Sequence, residues 1–293
     1  MPFFHIEDVS IHYREQGAGQ SAIVCLHPPC ITGQLFDTLG RELEEDHHIL
    51  SLDIRGHGSS EEGHGTLTHA MIAEDTRQLL DELNIKKAYL CGYGAGSFPV
   101  LAALLAYPER FSGGILISGM AEYRDILTRS NLQASFISSA LKAKETIVKR
   151  AVRQEVQNKA SYAVLSEDAL QGDSVKWREY ASACLNASFN RELSQIKHPM
   201  LLVYGTADKI SRDYAEQLYR HLPNAELYGV QRASRQLLTD EPIKTAMVIK
   251  QWMAKQEQPE MADTYEERQQ LLEELVSHGV QDGMNGIGAQ ELR

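Results

Sequence analysis

The stretch Gly92-Tyr93-Gly94-Ala95-Gly96 has the form of a strand-to-helix elbow built for nucleophilic chemistry, with the nucleophile missing. In a Gly-x-Ser-x-Gly elbow the middle serine is lifted clear of the sheet edge and aimed at a carbonyl carbon, beside backbone N–H groups that stabilise the oxyanion. Here the middle residue is Gly94, which has no hydroxyl to aim. Ser97 lies three positions on, inside the following helix, where a serine commonly hydrogen-bonds local backbone. Ser234 has no neighbouring base. Cys30 is a thiol candidate only if its pKa is lowered. His57, His64 and His69 lack both cysteine partners and the paired His-x3-His spacing of a zinc site, so neither metal nor cofactor is expected.

The elements that must position this turn read as alternating strands and helices, the order of a largely parallel sheet covered on both faces. Phe3–Ile6 and Ser10–Glu15 form an opening hairpin. Strand patterns follow at Ala22–Leu26, Ile49–Asp53, Ala88–Cys91, Gly114–Ser118, Met200–Tyr204 and Ala225–Tyr228. Helical patterns fall at Leu35–Leu43, Thr68–Leu83, Ser97–Tyr107, Asp213–His221 and Ile243–Lys255. Behind Thr68, a good N-cap, Met71, Ile72, Leu79, Leu80 and Leu83 recur at helical spacing, so one face of that helix is buried.

The alternation breaks between residues 121 and 195, where the pattern is helical with little strand character, as for an inserted helical cap. The expected organisation is a core of residues 1–120 and 196–256, a cap of 121–195 and an acidic extension of 257–293. Within the cap, Lys142, Lys144, Lys149, Arg150, Arg153 and Lys159 outnumber Glu145 and Glu155. A solvated helix face is the plain explanation of that run, and an anion-attracting mouth over a pocket is the sharper one.

In the extension, Thr264 to Glu267 has the form of a capping box, and Leu271/Leu275 and Leu272/Val276 are i,i+4 apolar pairs, so one short acidic helix closing at Gly279 is expected. The segment from Glu257 carries nine acids against Arg268 and Arg293, much of the net charge of -11. The rest is nearly neutral, which argues against nucleic acid as a partner, because such binding needs a basic face. No apolar run approaches the roughly 20 residues that span a bilayer, so no membrane partner is expected. Cys25, Cys30, Cys91 and Cys184 show no metal-ligand spacing and read as reduced thiols, consistent with the cytoplasm.

Four landmarks then occur in order: Leu26-His27-Pro28-Pro29, Asp53-Ile-Arg-Gly-His-Gly-Ser59, the elbow, and Val203-Tyr-Gly-Thr-Ala-Asp208, each after a strand. With them the chain resembles the α/β-hydrolase superfamily over about Phe3 to Lys255. The resemblance implies an eight-stranded, mostly parallel sheet flanked by helices, and a Ser, Asp, His triad in chain order. Asp208 matches the acid position. The histidine position falls in Gly229 to Pro242, where the best register places Arg235, and no histidine occurs between His221 and His278. A guanidinium stays protonated and cannot act as general base, and Gly94 offers it nothing to activate.

The oxyanion hole is altered as well, because Pro28 and Pro29 have no N–H where the family usually draws one. The Ala95 N–H remains, with Cys30 as a possible substitute donor. The expected pocket is lined by His27, Cys30, Tyr93, Gly94, Ala95, Asp208 and Arg235. An ion pair between Arg235 and Asp208 would keep that carboxylate compensated, the alternative being that Asp208 caps a turn and Arg235 points to solvent.

The resulting expectation is a hydrolase-like protein without serine hydrolysis, acting in ligand binding, regulation or scaffolding, with a small molecule or acyl compound as its ligand. Two alternatives stay open. One is an ester or amide hydrolase whose serine at position 94 was deliberately replaced. The other is an interaction protein that recruits a protein partner through residues 257–293.

Overall fold

A computed structural model describes residues 2–124, 130, 144–156 and 159–257. Eight strands form one sheet: β1 (Phe3–Ile6), β2 (Val9–Gln16), β3 (Ser21–Leu26), β4 (His47–Leu52), β5 (Ala88–Tyr93), β6 (Phe111–Ile117), β7 (Met200–Gly205) and β8 (Ala225–Val230). They lie in the order β1-β2-β4-β3-β5-β6-β7-β8. β2 pairs antiparallel with β1 and β4, and every other pairing is parallel. The inner strands are runs of Ile, Val, Leu and Cys buried on both faces, as in β3, where Ala22 to Leu26 are all buried.

The helices among the described residues are α1 (Asp37–Leu43), α2 (His69–Glu82), α3 (Ser97–Ala106), α4 (Lys144–Glu155), α5 (Lys159–Ala169), α6 (Ser174–Asn186), α7 (Lys209–His221), α8 (Leu237–Asp240) and α9 (Pro242–Glu257). Thr68 caps α2 by accepting from the Met71 N–H at 3.2 Å. α7 starts at Lys209, four residues before the sequence pattern, because the Asp208 carboxylate accepts the Ile210 N–H and fixes the helix start there. By compactness the chain divides into Met1–Ile249 and Lys250–Arg293. The expected acidic helix of the extension lies outside the described residues. No helix among the described residues is long and apolar enough to cross a membrane.

Strand order fixes where a site can form. From β3 the chain runs outward through α1 to β4, then returns to β5 on the other side of β3 and continues outward to β6. The carboxyl ends of β3 and β5 are therefore adjacent where the chain reverses its direction of winding, and a crevice opens there. α4, α5 and α6 all come from the connection between β6 and β7. That connection is tied at its base by an antiparallel bridge between Glu122 and Ser188 and by Phe189 N–H donating to the Ala121 carbonyl at 2.9 Å.

A cluster of buried rings supports the carboxyl ends of the strands. The His27 and His57 ring centroids lie 5.0 Å apart, and His57 meets Tyr180 edge-on at 5.8 Å. His69 stacks on Phe98 at 5.4 Å. Burial disfavours the charged imidazole, so it lowers the pKa of His27 and pushes His57 down to about 3 and His69 to about 4.

Unfolding returns each ring to an ordinary value of about 6.5. Below that pH the unfolded chain binds protons that the folded chain refuses. Their stabilising effect is thus complete above about pH 6.5 and is lost on acidification, by up to about 1.4 kcal/mol per pH unit for each ring. Urea unfolding free energies should fall between pH 6.5 and 5, and His57→Asn should make that fall shallower. An unchanged slope in the variant would reject the assignment to His57.

Candidate functional site

Steric crowding shapes the turn between β5 and α3. A Cβ on Gly96 would stand 2.0 Å from the Leu26 carbonyl oxygen, and one on Gly92 would stand 2.7 Å from the Gly96 oxygen. Both flanking glycines are therefore demanded by the backbone, which passes against the end of β3. Gly94 differs. Its Cβ would meet only the Arg235 Nη2, at 3.8 Å, so a side chain has room there. Its φ of +53° lies in the left-handed region, which favours glycine. Ser97 is fully buried and committed to backbone: its Oγ lies 2.5 Å from the Gly94 carbonyl and 2.8 Å from that of Met120, and it accepts the Met120 N–H at 2.9 Å.

Above this turn lies a cavity of about 310 Å³. Its floor includes Pro28, Cys30, Ala95 and Ser118, and its sides include Asp208 and Arg235. Of the residues expected there, the lining brings together Cys30, Ala95, Asp208 and Arg235 and leaves out Gly94, which lies in the turn beneath it. His27 is not among the lining residues. It is fully buried, with Nδ1 donating to the Pro28 carbonyl at 2.9 Å and Nε2 accepting the Ile54 N–H at 3.0 Å, so both ring nitrogens hold backbone. Tyr93 is also buried and sits outside the lining. Among the described residues no histidine lines the cavity. Cys30 has φ +66°, and burial pushes its thiol up to about 12, so it is not held as a thiolate.

The expected contact between Arg235 and Asp208 does not form. Arg235 Nη2 donates instead to Glu155 at the end of α4, at 3.0 Å to Oε1 and 3.3 Å to Oε2. Asp208 takes the capping role: Oδ1 accepts from Ile210 N–H at 3.0 Å and Oδ2 from Ser211 Oγ at 2.7 Å. The reason is burial. The Glu155 side chain is 6% exposed, and a carboxylate that deep is the costlier one to leave without a cationic partner. The Tyr93 hydroxyl lies 2.8 Å from Glu155 Oε2 and 3.2 Å from the Arg235 carbonyl, while the Ser118 hydroxyl donates to that carbonyl at 2.8 Å. Beyond the pair, Gln236 Nε2 donates to the Gln154 carbonyl at 2.8 Å and Thr239 Oγ1 to the Glu155 carbonyl at 2.9 Å. Gln236 in the loop before α8 and Thr239 in α8 thus hold the C-terminal turn of α4 over the elbow.

Sequence reasoning counted Glu155 only as a minor acid in a basic run, although the signal was present. Ile147, Arg150, Ala151, Gln154 and Glu155 are spaced i, i+3, i+4, i+7, i+8 and all line the cavity. The same spacing in α6 puts Ser174, Trp177, Arg178 and Ala181 on its lining. The basic run therefore divides. Arg150 faces the cavity, Lys149 pairs with Glu145 on the exposed side, and Arg153 stacks on Tyr162.

The winding of the sheet, the crowded turn and the crevice at the carboxyl ends define an α/β-hydrolase fold. The chain belongs to the family described as Hydrolase_4, serine aminopeptidase S33, whose model matches residues 18–239. It is similar to the uncharacterized hydrolase YugF of Bacillus subtilis, 23% identical over 82% of this chain and 92% of that protein. It is likewise similar to a 2-hydroxy-6-oxononadienedioate/2-hydroxy-6-oxononatrienedioate hydrolase of Burkholderia vietnamiensis, 23% identical over 75% of this chain and 83% of the other. Among solved structures, the enol-lactonase from Burkholderia xenovorans LB400 superposes with a TM-score of 0.77 at 18% identity, covering 86% of this chain and 100% of that one. An esterase from Exiguobacterium antarcticum gives 0.75 at 19% identity, covering 85% and 98%.

The turn makes a contrast that mutation can read. Gly96→Ala should destabilise by more than about 2 kcal/mol, since backbone would have to move. Gly94→Ala should cost only about 1–2 kcal/mol, the left-handed penalty alone. Chemical denaturation compares the two, and equal losses would contradict the steric account.

Proposed function

We propose that this chain is an α/β-hydrolase-fold protein that no longer carries out serine hydrolysis and that binds a small molecule in the cavity between the elbow and a helical cap formed by the β6–β7 connection. In this reading Gly94 stands at the nucleophile position, Arg235 at the histidine position and Asp208 at the acid position. The observation that carries it is the pairing of Arg235 with Glu155 directly over the bare Gly94. A permanent cation held by a buried carboxylate accepts no proton, and it faces a residue with none to give.

Three serine hydroxyls around the turn and the acid position support the same reading. Ser97 is closed off in the core, Ser118 donates to the Arg235 carbonyl and Ser211 donates to Asp208, so none of them lies beside an imidazole. The Ala95 N–H at the head of α3 is the part of an oxyanion site that persists, and it can orient a carbonyl or hydroxyl of a bound ligand. The relatives named as hydrolases share the fold at identities that leave their substrates their own. The cytoplasm remains the proposed location, and a protein partner engaging residues 257–293 remains a proposal that only truncation from Glu257 can address.

In studied triads, loss of the serine or the histidine alone lowers turnover about a millionfold. The unaltered chain should therefore hydrolyse p-nitrophenyl butyrate no faster than the same amount of heat-denatured protein. Gly94→Ser should remain at that level, and Gly94→Ser with Arg235→His should regain little, because Asp208 is engaged as a helix cap. A stoichiometric burst of p-nitrophenolate from the unaltered chain or from Gly94→Ser would overturn the proposal.

A further inference from the structure

We infer that the ligand of this cavity is an organic carboxylate, anchored by the guanidinium of Arg178 on α6. The inference rests on the non-catalytic reading above and names the chemistry of the ligand. Two helices of the β6–β7 connection each turn an arginine toward the cavity: Arg150 in the lining stripe of α4 and Arg178 in that of α6. Most of the other charges in the lining are already matched. Arg235 is held by Glu155, and both oxygens of Asp208 accept from the first turn of α7.

Arg178 is different. It is partly buried in the cavity wall, and among the described residues it has no hydrogen-bond or ion-pair partner. A guanidinium that faces a cavity without a counter-ion can take one there, and its planar fork matches a carboxylate.

Position separates Arg178 from Arg235 as the anchor. At the elbow end, Arg235 shares the cavity with two carboxylates, Glu155 and Asp208, so an added anion there meets net repulsion. Of the lining cations, Arg235 is held by Glu155, and Arg178 on α6 is left with no ion-pair partner among the described residues. A ligand fitted to that arrangement places its carboxylate on Arg178 and its uncharged end toward Ala95 at the elbow. Met120, Tyr123, Trp177 and Tyr214 supply apolar wall between them, suited to an alkyl or aryl body. A phosphate monoester carries up to two negative charges into a space that already holds two carboxylates, and a monocarboxylate meets less repulsion.

The test uses the full chain and matched probes in titration calorimetry at low salt: octanoate and 4-phenylbutyrate, their primary amides, and phenyl phosphate. At least one acid should bind tenfold or more tightly than its amide. Arg178→Gln should abolish that preference by weakening the acid at least tenfold more than the amide, and Arg178→Lys should restore part of it. Equal binding of acid and amide, an acid preference that survives Arg178→Gln, tighter binding of phenyl phosphate, or no binding of either acid at millimolar concentration would each overturn the assignment. Should Arg178→Gln fail to fold, the comparison is read on Arg178→Lys, whose point charge should weaken the acid and spare the amide. Ester turnover by the unaltered chain would sink the non-catalytic reading and leave the acid-to-amide ratio interpretable. A ratio of one would sink the carboxylate and leave that reading standing.

Discussion

The approach of the β5–α3 turn to the end of β3 is the constraint on which the site depends. With only 2.0 Å between the Leu26 carbonyl oxygen and the place a Gly96 Cβ would occupy, the two strand ends cannot separate or slide without losing the parallel ladder between them. That contact puts Cys30 and Ala95 on one cavity floor and aims the start of α3 into the crevice. Gly94 then heads the turn with φ +53° and open space above it. A side chain at position 94 would have room there, meeting only the Arg235 Nη2 at 3.8 Å.

Over that space the protein has placed charge in a fixed arrangement. Glu155 is buried and compensated by Arg235 and the Tyr93 hydroxyl, and the side chains of Gln236 and Thr239 hold the last turn of α4 by donating to its carbonyls. Removing one partner of such a buried pair generally costs more than the pair itself contributes, because the survivor keeps its desolvation penalty. The Arg235 guanidinium, raised further above its ordinary pKa first by the Glu155 carboxylate, is thereby a structural cation joining the helices above the sheet to the loop after β8. Asp208 supports α7 in a separate set of bonds.

The two landmark histidines near the sheet serve the frame. His27 bridges the Pro28 carbonyl and the Ile54 N–H, and the His57 Nδ1 donates to the Arg55 carbonyl at 3.0 Å, so both rings hold loops at the carboxyl ends of β3 and β4. Asp53 belongs to the same frame, accepting from Gly33 N–H and lying 2.7 Å from His12 Nδ1. Residues that read as site candidates in a linear motif are, in three dimensions, the backbone fasteners that keep the crevice open.

The sequence by itself determined the strand succession, the buried face of α2, the helical character between β6 and β7, and the elbow, because each is written in local periodicity, capping or glycine spacing over a few adjacent residues. It also placed Cys30, Ala95, Asp208 and Arg235 near one another, through landmarks that each follow a strand end. Only the tertiary structure decided which partner Arg235 takes. Ion pairing depends on the burial of the competing carboxylates, and Glu155, 80 residues away in the chain, is the more buried and the more in need of a cation. The same holds for His27 and Tyr93, whose exclusion from the cavity follows from packing depth, a property no local pattern carries. Arg178 gained meaning in the same way, since a helix face acquires a role only when the fold supplies what stands opposite it.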